Sequence, residues 1–165
     1  MDIAYRDDTK ITVEAAIDLY KRSTLGERRP VDRPDIFEGM LNNSNLIITA
    51  WHGERLVGIS RSLTDFTYVA YLADLAVDTD YQRHGIGKQL IHETKRRLGR
   101  ECMVVLLAAP KANEYYPKVG FEVSESHVAR FPKYSAQNSA LHLSVYVSTI
   151  TICGLLSTLP SATRR

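Results

Sequence analysis

A glycine-rich segment carries the clearest chemical signal in the sequence. In YQRHGIGKQLI, which spans Tyr81–Ile91, Gly85 and Gly87 lie between the basic residues Arg83 and Lys88. An apolar run rich in β-forming residues precedes the segment and an amphipathic run follows it, which predicts a strand, a turn and a helix. The first N–H groups of a helix have no intrahelical partner, and glycines let a ligand approach them closely. The segment therefore predicts a phosphate or diphosphate site, and a plain tight turn with exposed basic side chains is the alternative.

Two common nucleotide-binding motifs fit this segment poorly. A P-loop needs the pattern GxxxxGK[ST], which the sequence does not contain. A dinucleotide fingerprint needs GxGxxG after the first strand of its unit, whereas Leu90 stands where the third glycine would be and the segment lies in mid-chain. We therefore expect a phosphate-containing ligand that is bound by neither of these two motifs.

Two segments resemble the signatures of the GNAT superfamily of N-acetyltransferases. LAVDTDYQRHGIGKQLI is similar to its pattern [QR]-x-x-G-x-[GA], with Gln82, Gly85 and Gly87 in the defined positions. NEYYPKVGF is similar to its second signature. The matching residues there are Asn113, Tyr116, Lys118, Gly120 and Phe121. The two segments occur in the family's order with a β-rich run between them, and the resemblance covers about residues 2 to 131.

The resemblance implies acetyl-CoA as cosubstrate and assigns its contacts. In the family the diphosphate binds to N–H groups of the turn, which here comprises Arg83, His84, Gly85, Ile86, Gly87 and Lys88. The pantetheine arm lies along the fourth strand, which corresponds to the backbone of Leu75, Ala76 and Val77. Asn113 would hydrogen-bond the arm from its other side, and a polar residue that begins a helix is the alternative interpretation.

The resemblance also places Tyr116 at the position of the general acid. Acyl transfer to an amine releases a thiolate, and a phenol with a pKa of about 10 can donate a proton to the departing sulfur. A packed aromatic side chain is the alternative for Tyr116. The neighbouring Tyr115 fits that packing role equally well.

No general base is evident in the sequence. Many family members carry Glu or His on the fourth strand, and the corresponding positions here are Tyr71 and Ala73. Asp74 is adjacent and is the candidate base, although strand alternation directs it to the opposite face unless a β-bulge redirects it. A chain of water molecules, or an amine that arrives deprotonated, would make such a residue unnecessary.

The order of predicted elements indicates the fold class. Helices are predicted over 11–22, in the segment DIFEGMLNNS and over 87–98, and a hairpin is predicted around His52-Gly53. The run CMVVLLAAP is typical of a strand covered on both faces, and further strands are predicted before and after the GNAT-like segments. We therefore expect an α/β fold with a GNAT-like mixed, mainly antiparallel sheet flanked by helices.

The sequence gives less information about the substrate that accepts the acetyl group than about the cosubstrate. In GNAT-like folds the connection of the first two helices shapes the acceptor cleft, and here that connection is STLGERRPVDRP. Its charged residues are Glu27, Arg28, Arg29, Asp32 and Arg33. Mixed charge could meet an amine that also carries a carboxylate, while a solvated loop is the alternative.

Composition excludes several other classes. The 165 residues carry a formal net charge of +2, and KRRLGR at a helix end is typical of a solvated face, so we expect no nucleic-acid partner. Cys102 and Cys153 form no CxxC pair, and the histidines show no ligand-like spacing, so we expect no metal. The charged N-terminus lacks an apolar signal region, which predicts a cytoplasmic protein.

The C-terminal segment differs from the rest of the chain. We expect a GNAT domain over residues 1–133 and an atypical tail over 134–165, because no Asp, Glu, Lys or Arg occurs from Tyr134 to Thr163. Alternation at Leu143–Val147 favours a last strand over a membrane anchor, and a disordered or frameshifted end is the alternative. Family members often dimerise through C-terminal strands, so the resemblance makes a homodimer a possible assembly.

The sequence thus supports two functions of different classes. The first is an N-acetyltransferase that moves an acetyl group from acetyl-CoA to a primary amine of a small molecule or peptide. The second is a sensor or subunit that binds acyl-CoA without catalysis, and the missing base keeps this alternative open.

Overall fold

The computed structural model of the protein describes residues 1–8, 10–108 and 114–122. The strands are β1 (Ala4–Arg6), β2 (Leu46–His52), β3 (Arg55–Thr64), β4 (Val69–Val77) and β5 (Met103–Val105). The α-helices are α1 (Val13–Arg22), α2 (Pro34–Asn42) and α3 (Ile86–Arg96). Short 3-10 turns lie at Gly26–Arg28, Thr79–Tyr81 and Pro117–Val119.

The strands of the described residues form one sheet in the order β1-β2-β3-β4-β5. Neighbouring strands are antiparallel from β1 to β4, and β4 pairs with β5 in parallel. The parallel pair needs a crossover, which α3 provides. This arrangement confirms the predicted α/β class with a mixed, mainly antiparallel sheet.

Helices α1 and α2 cover one face of the sheet. Thr12 caps α1 by accepting a hydrogen bond from the backbone N–H of Ala15 at 3.2 Å, and Pro34 begins α2, where a missing N–H costs nothing. The rings of Tyr20 and Phe37 meet edge to face with centroids 4.8 Å apart. Both side chains are fully buried in a cluster that includes Ala76 of β4.

Helix α3 covers the opposite face. Its Ile86 and Leu90 join a second buried cluster, against which Leu75 and Val77 of β4 pack. A Cβ on Gly58 would approach Leu90 Cδ1 to 3.0 Å, so the absence of a side chain there lets the helix approach β3 closely.

A bulge interrupts β4 where the sheet begins to open. Arg61 pairs with Asp74 and Ser62 with Leu72, so Ala73 is the extra residue in β4. On its other side β4 pairs with β5 only from Val69 to Tyr71. Within the part of the chain that the structure describes, the rest of that edge of β4 has no strand partner.

Several predictions can be compared with these elements directly. The three helices and the hairpin occur where the patterns predicted them. β5 is shorter than its apolar run, and Met103 is 55% exposed, so the prediction of a strand covered on both faces is wrong for the described residues. The strand predicted over 121–131 lies outside the described residues from residue 123 onward, and the tail over 134–165 and Asn113 lie outside them entirely. No α-helix of the described ranges is long and apolar enough to cross a bilayer.

Candidate active site

The turn between β4 and α3 contains two residues in the left-handed backbone region. Arg83 has φ of 64° and Gly85 has φ of 81°, a conformation that costs glycine little and arginine more. The side-chain amide of Gln82 donates to the carbonyl oxygen of Val77 at 3.1 Å. The predicted binding residue Gln82 therefore closes the turn onto the end of β4.

The start of α3 is open to a ligand. Gly85 is its N-cap residue, and no side chain caps the helix. A Cβ on Gly85 would meet no atom within 4 Å, so the space beside this residue is open. Arg83, His84 and Lys88 are exposed around this space, while Ile86 is buried beneath it. Free N–H groups, the helix dipole and basic side chains together suit a diphosphate.

Gly87 brings the second signature segment to the same turn. A Cβ on Gly87 would lie 2.7 Å from the hydroxyl oxygen of Tyr115 and 3.7 Å from Val77 Cγ2. The absence of a side chain at Gly87 therefore makes room for Tyr115. The two signatures, which are separate in the sequence, meet at the first turn of α3.

The unpaired edge of β4 leads directly to this turn. Leu75 and Val77 direct their side chains toward α3, and Ala76 is buried on the α1 side. Beyond Tyr71 no residue of β5 pairs with β4 within the described ranges. A strand edge of this kind presents free N–H and C=O groups with which an extended ligand can pair.

Tyr116 lies in an aromatic cluster beside the site. Its ring meets Tyr115 and Phe121 edge to face, with centroids 5.4 and 5.6 Å away. Burial raises the pKa of the Tyr116 phenol above its usual value, and the positive charge of Arg28 opposes part of this rise. The phenol is therefore protonated at neutral pH, as a proton donor must be.

Asp74 lies on the α1 side of the sheet and has three donors. Its Oδ1 accepts from Arg29 Nε at 2.5 Å. Its Oδ2 accepts from Arg61 Nε at 2.5 Å and from the Tyr20 hydroxyl at 3.0 Å. Burial and the neighbouring Asp74 charge raise the pKa of the Tyr20 phenol, which keeps this donor protonated. The geometry gives Asp74 a structural part, and its predicted role as base stays a prediction.

A second buried carboxylate anchors the start of the turn. Asp78 is 1% exposed, and its Oδ1 accepts from the backbone N–H of Asp80 at 3.1 Å. Its Oδ2 accepts from Arg22 of α1 and from Arg55 of β3, the latter at 2.9 Å. Asp78 thus ties the turn to a helix and to a hairpin that lie far from it in sequence.

A comparison with known families agrees with this geometry. Residues 29–131 match the family model described as the acetyltransferase (GNAT) domain. The chain belongs to the GNAT acetyltransferase family. This confirms the resemblance drawn from the two signature segments.

Relatives of this GNAT protein are between 26% and 35% identical to it over the aligned residues. An uncharacterized N-acetyltransferase ycf52 from Pyropia yezoensis is 28% identical over 125 residues, which are 69% of this chain and 70% of the relative. The histone acetyltransferase TAP1 from Glycine max is 30% identical over 124 residues, 64% of this chain. The match spans 52% of that soybean protein, so this chain corresponds to about half of its length.

Solved structures show the same fold. A GNAT family acetyltransferase from Streptococcus pneumoniae TIGR4 superposes with a TM-score of 0.67 at 24% identity, covering 81% of this chain and all of that one. The aminoglycoside N-acetyltransferase AAC(6')-Iy, solved in complex with CoA, superposes with a TM-score of 0.63 at 19% identity, covering 81% of this chain and 96% of that one.

The sequence did not reveal that Arg29 and Arg61 of this GNAT domain bind Asp74. The sequence places Arg29 in a charged loop and Arg61 in a strand segment, and it does not identify Asp74 as the partner of either. One signal was available for Arg61, because a charge inside the apolar strand segment GISRSL needs a buried partner. No comparable signal pointed to Arg29, whose partner Asp74 lies 45 residues away.

Proposed function

We propose that this GNAT protein transfers the acetyl group of acetyl-CoA to a primary amine of a small molecule or peptide. One juxtaposition carries the proposal: the edge of β4 over Leu75–Val77, which no strand of the described residues pairs, leads to the uncapped start of α3. CoA has a diphosphate joined to an extended, amide-containing arm, and the two features suit these two parts. The CoA complex of the aminoglycoside N-acetyltransferase supports the same ligand.

The residues of the turn would bind the diphosphate. The backbone N–H groups from Arg83 to Lys88 would donate to its oxygens, and Arg83 and Lys88 would add positive charge. Leu75 and the backbone N–H of Val77 would pair with amide groups of the arm, whereas the Val77 carbonyl oxygen already accepts from Gln82. The contact assigned to Asn113 stays a prediction from the resemblance.

Tyr116 would act at the reacting atoms. Acetyl-CoA supplies a thioester, whose C–S bond breaks as the amine nitrogen bonds to the carbonyl carbon. Tyr116 would donate its phenolic proton to the departing sulfur, and a water molecule would take the proton that the amine nitrogen loses. The raised pKa of Tyr116 suits this donor role at neutral pH.

A water molecule takes the place of a side-chain base in this proposal. Among the described residues of β4, Asp74 carries the acidic group, and two guanidinium groups and a phenol already donate to it. An amine of lysine type has a pKa of about 10.4, so turnover should rise with pH as the deprotonated fraction of the acceptor grows.

The same donor set of Asp74 favours a second candidate, a subunit that binds acyl-CoA without catalysis. A thiol-release assay separates the two functions. Acetyl-CoA would be incubated with a lysine peptide, a peptide with a free α-amine, a polyamine and free amino acids, with CoA binding measured in parallel by calorimetry. Thiol release that depends on one of these amines supports the transferase. CoA binding without release above the amine-free rate supports the binding subunit.

A further inference from the structure

Arg29 connects the loop between α1 and α2 to the bulge in β4. Its guanidinium donates from all three nitrogens: Nε to Asp74 Oδ1 at 2.5 Å, Nη2 to the carbonyl oxygen of Ala73 at 2.9 Å, and Nη1 to the carbonyl oxygen of Arg28 at 3.0 Å. Two of these acceptors belong to β4 and the third belongs to the loop. The planar guanidinium of Arg29 therefore holds β4 and the loop between α1 and α2 in one relative position.

The contact with Ala73 lies at the point where β4 loses its partner. Ala73 is the extra residue of the bulge and has no partner in the register with β3. Pairing with β5 ends two residues earlier, at Tyr71. Arg29 thus holds the backbone carbonyl at the beginning of the open edge, from which β4 runs to Leu75 and Val77.

Arg29 shares the Asp74 charge with the more deeply buried Arg61. Arg61 and Tyr20 both donate to Asp74 Oδ2, and the Arg61 side chain is 9% exposed whereas that of Arg29 is 27% exposed. Without Arg29 the carboxylate would still have one guanidinium and one hydroxyl donor. What Arg29 supplies beyond these two donors is the hydrogen bond to Asp74 Oδ1, the hydrogen bond to the bulge and the link to the loop.

We propose that Arg29 is a positioning residue that fixes the Ala73 carbonyl and so shapes the β4 edge for the pantetheine arm of CoA. The inference rests on the proposed function, in which that edge binds the arm. The three hydrogen bonds of Arg29 go to Asp74, Ala73 and Arg28, and none of them reaches the turn that would bind the diphosphate. Loss of Arg29 should therefore weaken binding of the arm and leave binding of the phosphates unchanged.

A ligand fragment tests this difference. CoA and 3′-phosphoadenosine 5′-diphosphate, which lacks the arm, would each be titrated calorimetrically into the wild-type protein and into Arg29→Lys and Arg29→Gln. A lysine ammonium keeps the charge facing Asp74, but it cannot donate to Asp74 and to the Ala73 carbonyl oxygen with the geometry of a guanidinium. We expect CoA to bind about tenfold more weakly to both variants, since a hydrogen bond from a charged group is lost. The fragment should bind as it does to the wild-type protein.

Two matched variants serve as controls. Arg33→Gln removes a guanidinium from the same loop, where it pairs with the exposed neighbour Asp35 at 2.8 Å, and should leave both affinities unchanged. Arg61→Lys weakens the other ion pair of Asp74 without touching the Ala73 carbonyl. It should lower the midpoint of thermal unfolding and leave the ratio of CoA to fragment affinity as in the wild-type protein.

The outcomes are distinguishable. Unchanged CoA affinity in Arg29→Lys and Arg29→Gln, or an equal loss of CoA and fragment affinity, would overturn the positioning role while leaving the proposed function standing. If the wild-type protein binds neither ligand, the proposed function itself fails. Retained fragment binding by a variant shows that it is folded, so that a selective loss of CoA affinity supports the inference.

Discussion

The hydroxyl oxygen of Tyr115 lies 2.7 Å from the position that a Cβ atom would take on Gly87. This contact joins the second signature segment to the first turn of α3, and it can be measured by a double-mutant cycle. Gly87→Ala should destabilise the wild-type protein, because Tyr115 must move. In Tyr115→Phe the same substitution should be neutral or stabilising by up to about 1 kcal/mol, the helix preference of alanine over glycine.

The free energy of unfolding in urea, measured for all four members of the cycle, reports this coupling. An interaction energy of zero would contradict the contact between Tyr115 and Gly87. The affinity for CoA should follow the same pattern, since the clash occurs at the turn that would bind the diphosphate.

A negative charge at Gly85 should abolish binding of CoA. Gly85→Asp places a carboxylate in the open space before α3, and repulsion between charges about 4 Å apart amounts to several kcal/mol near a protein surface. We expect affinity to fall about 100-fold or more. Gly53→Asp is the matched control, because Gly53 also has positive φ and open space but lies in the β2–β3 turn. Equal CoA affinities for the two variants in calorimetry would exclude the turn as the diphosphate site.

Removal of the Tyr116 hydroxyl should affect turnover far more than binding. Tyr116→Phe keeps the ring contacts with Tyr115 and Phe121 but removes the proton donor. General acids contribute about 100- to 10,000-fold, so kcat should fall within this range while calorimetry shows unchanged CoA affinity. Tyr115→Phe should retain most of its kcat. A fall of less than about threefold in Tyr116→Phe would leave Tyr116 with a packing role, on the same scale.

The charge of Arg28 should set part of the pH dependence. A phenol donates only when protonated, so kcat should fall as pH rises through the pKa of Tyr116. Burial raises this pKa and Arg28 lowers it, so Arg28→Gln should move the alkaline limb of the kcat profile to higher pH. Arg33→Gln removes a charge from the same loop and should leave the limb in place. If the alkaline limb of the kcat profile does not move in Arg28→Gln, a group other than Tyr116 determines it.

Substitution of Asp74 should distinguish a structural part from a role as base. Asp74→Ala leaves the buried guanidinium of Arg61 without its carboxylate, which typically costs about 3–5 kcal/mol of stability. Asp74→Asn keeps hydrogen-bond acceptors and should cost less. The free energy of unfolding from urea titration would measure both variants. A large loss of kcat in Asp74→Asn, with stability and CoA affinity retained, would instead support Asp74 as the base.

The local patterns of the sequence were sufficient for the elements around the site. The local patterns predicted the three helices, and the glycine-rich segment with its flanking runs predicted the strand, turn and helix that hold the candidate diphosphate site. The relation between Gly87 and Tyr115 could not be predicted, because it depends on how two distant segments meet.

The bulge and its contacts were also beyond local reasoning. Ala73 has no side-chain feature that marks a bulge, and the register that reveals it involves a second strand. The pairing of Arg29 with Asp74 and of Arg22 with Asp78 links residues that only the tertiary fold brings together. Alternation within β4 correctly directed Asp74 away from Leu75 and Val77, but it could not name the donors found there.

Asp78 has a consequence for the way in which the candidate diphosphate turn moves. Loops that bind ligands commonly open by local fluctuation at little cost, and their amide hydrogens then exchange quickly with solvent. Here the turn begins at a carboxylate that is also bonded to Arg22 in the last turn of α1 and to Arg55 on the hairpin. The turn can separate from the domain only if both of those contacts break as well. The backbone N–H of Asp80, which donates to the Asp78 carboxylate, should therefore exchange as slowly as amides of the core, and the turn should open together with the end of α1 as one cooperative unit.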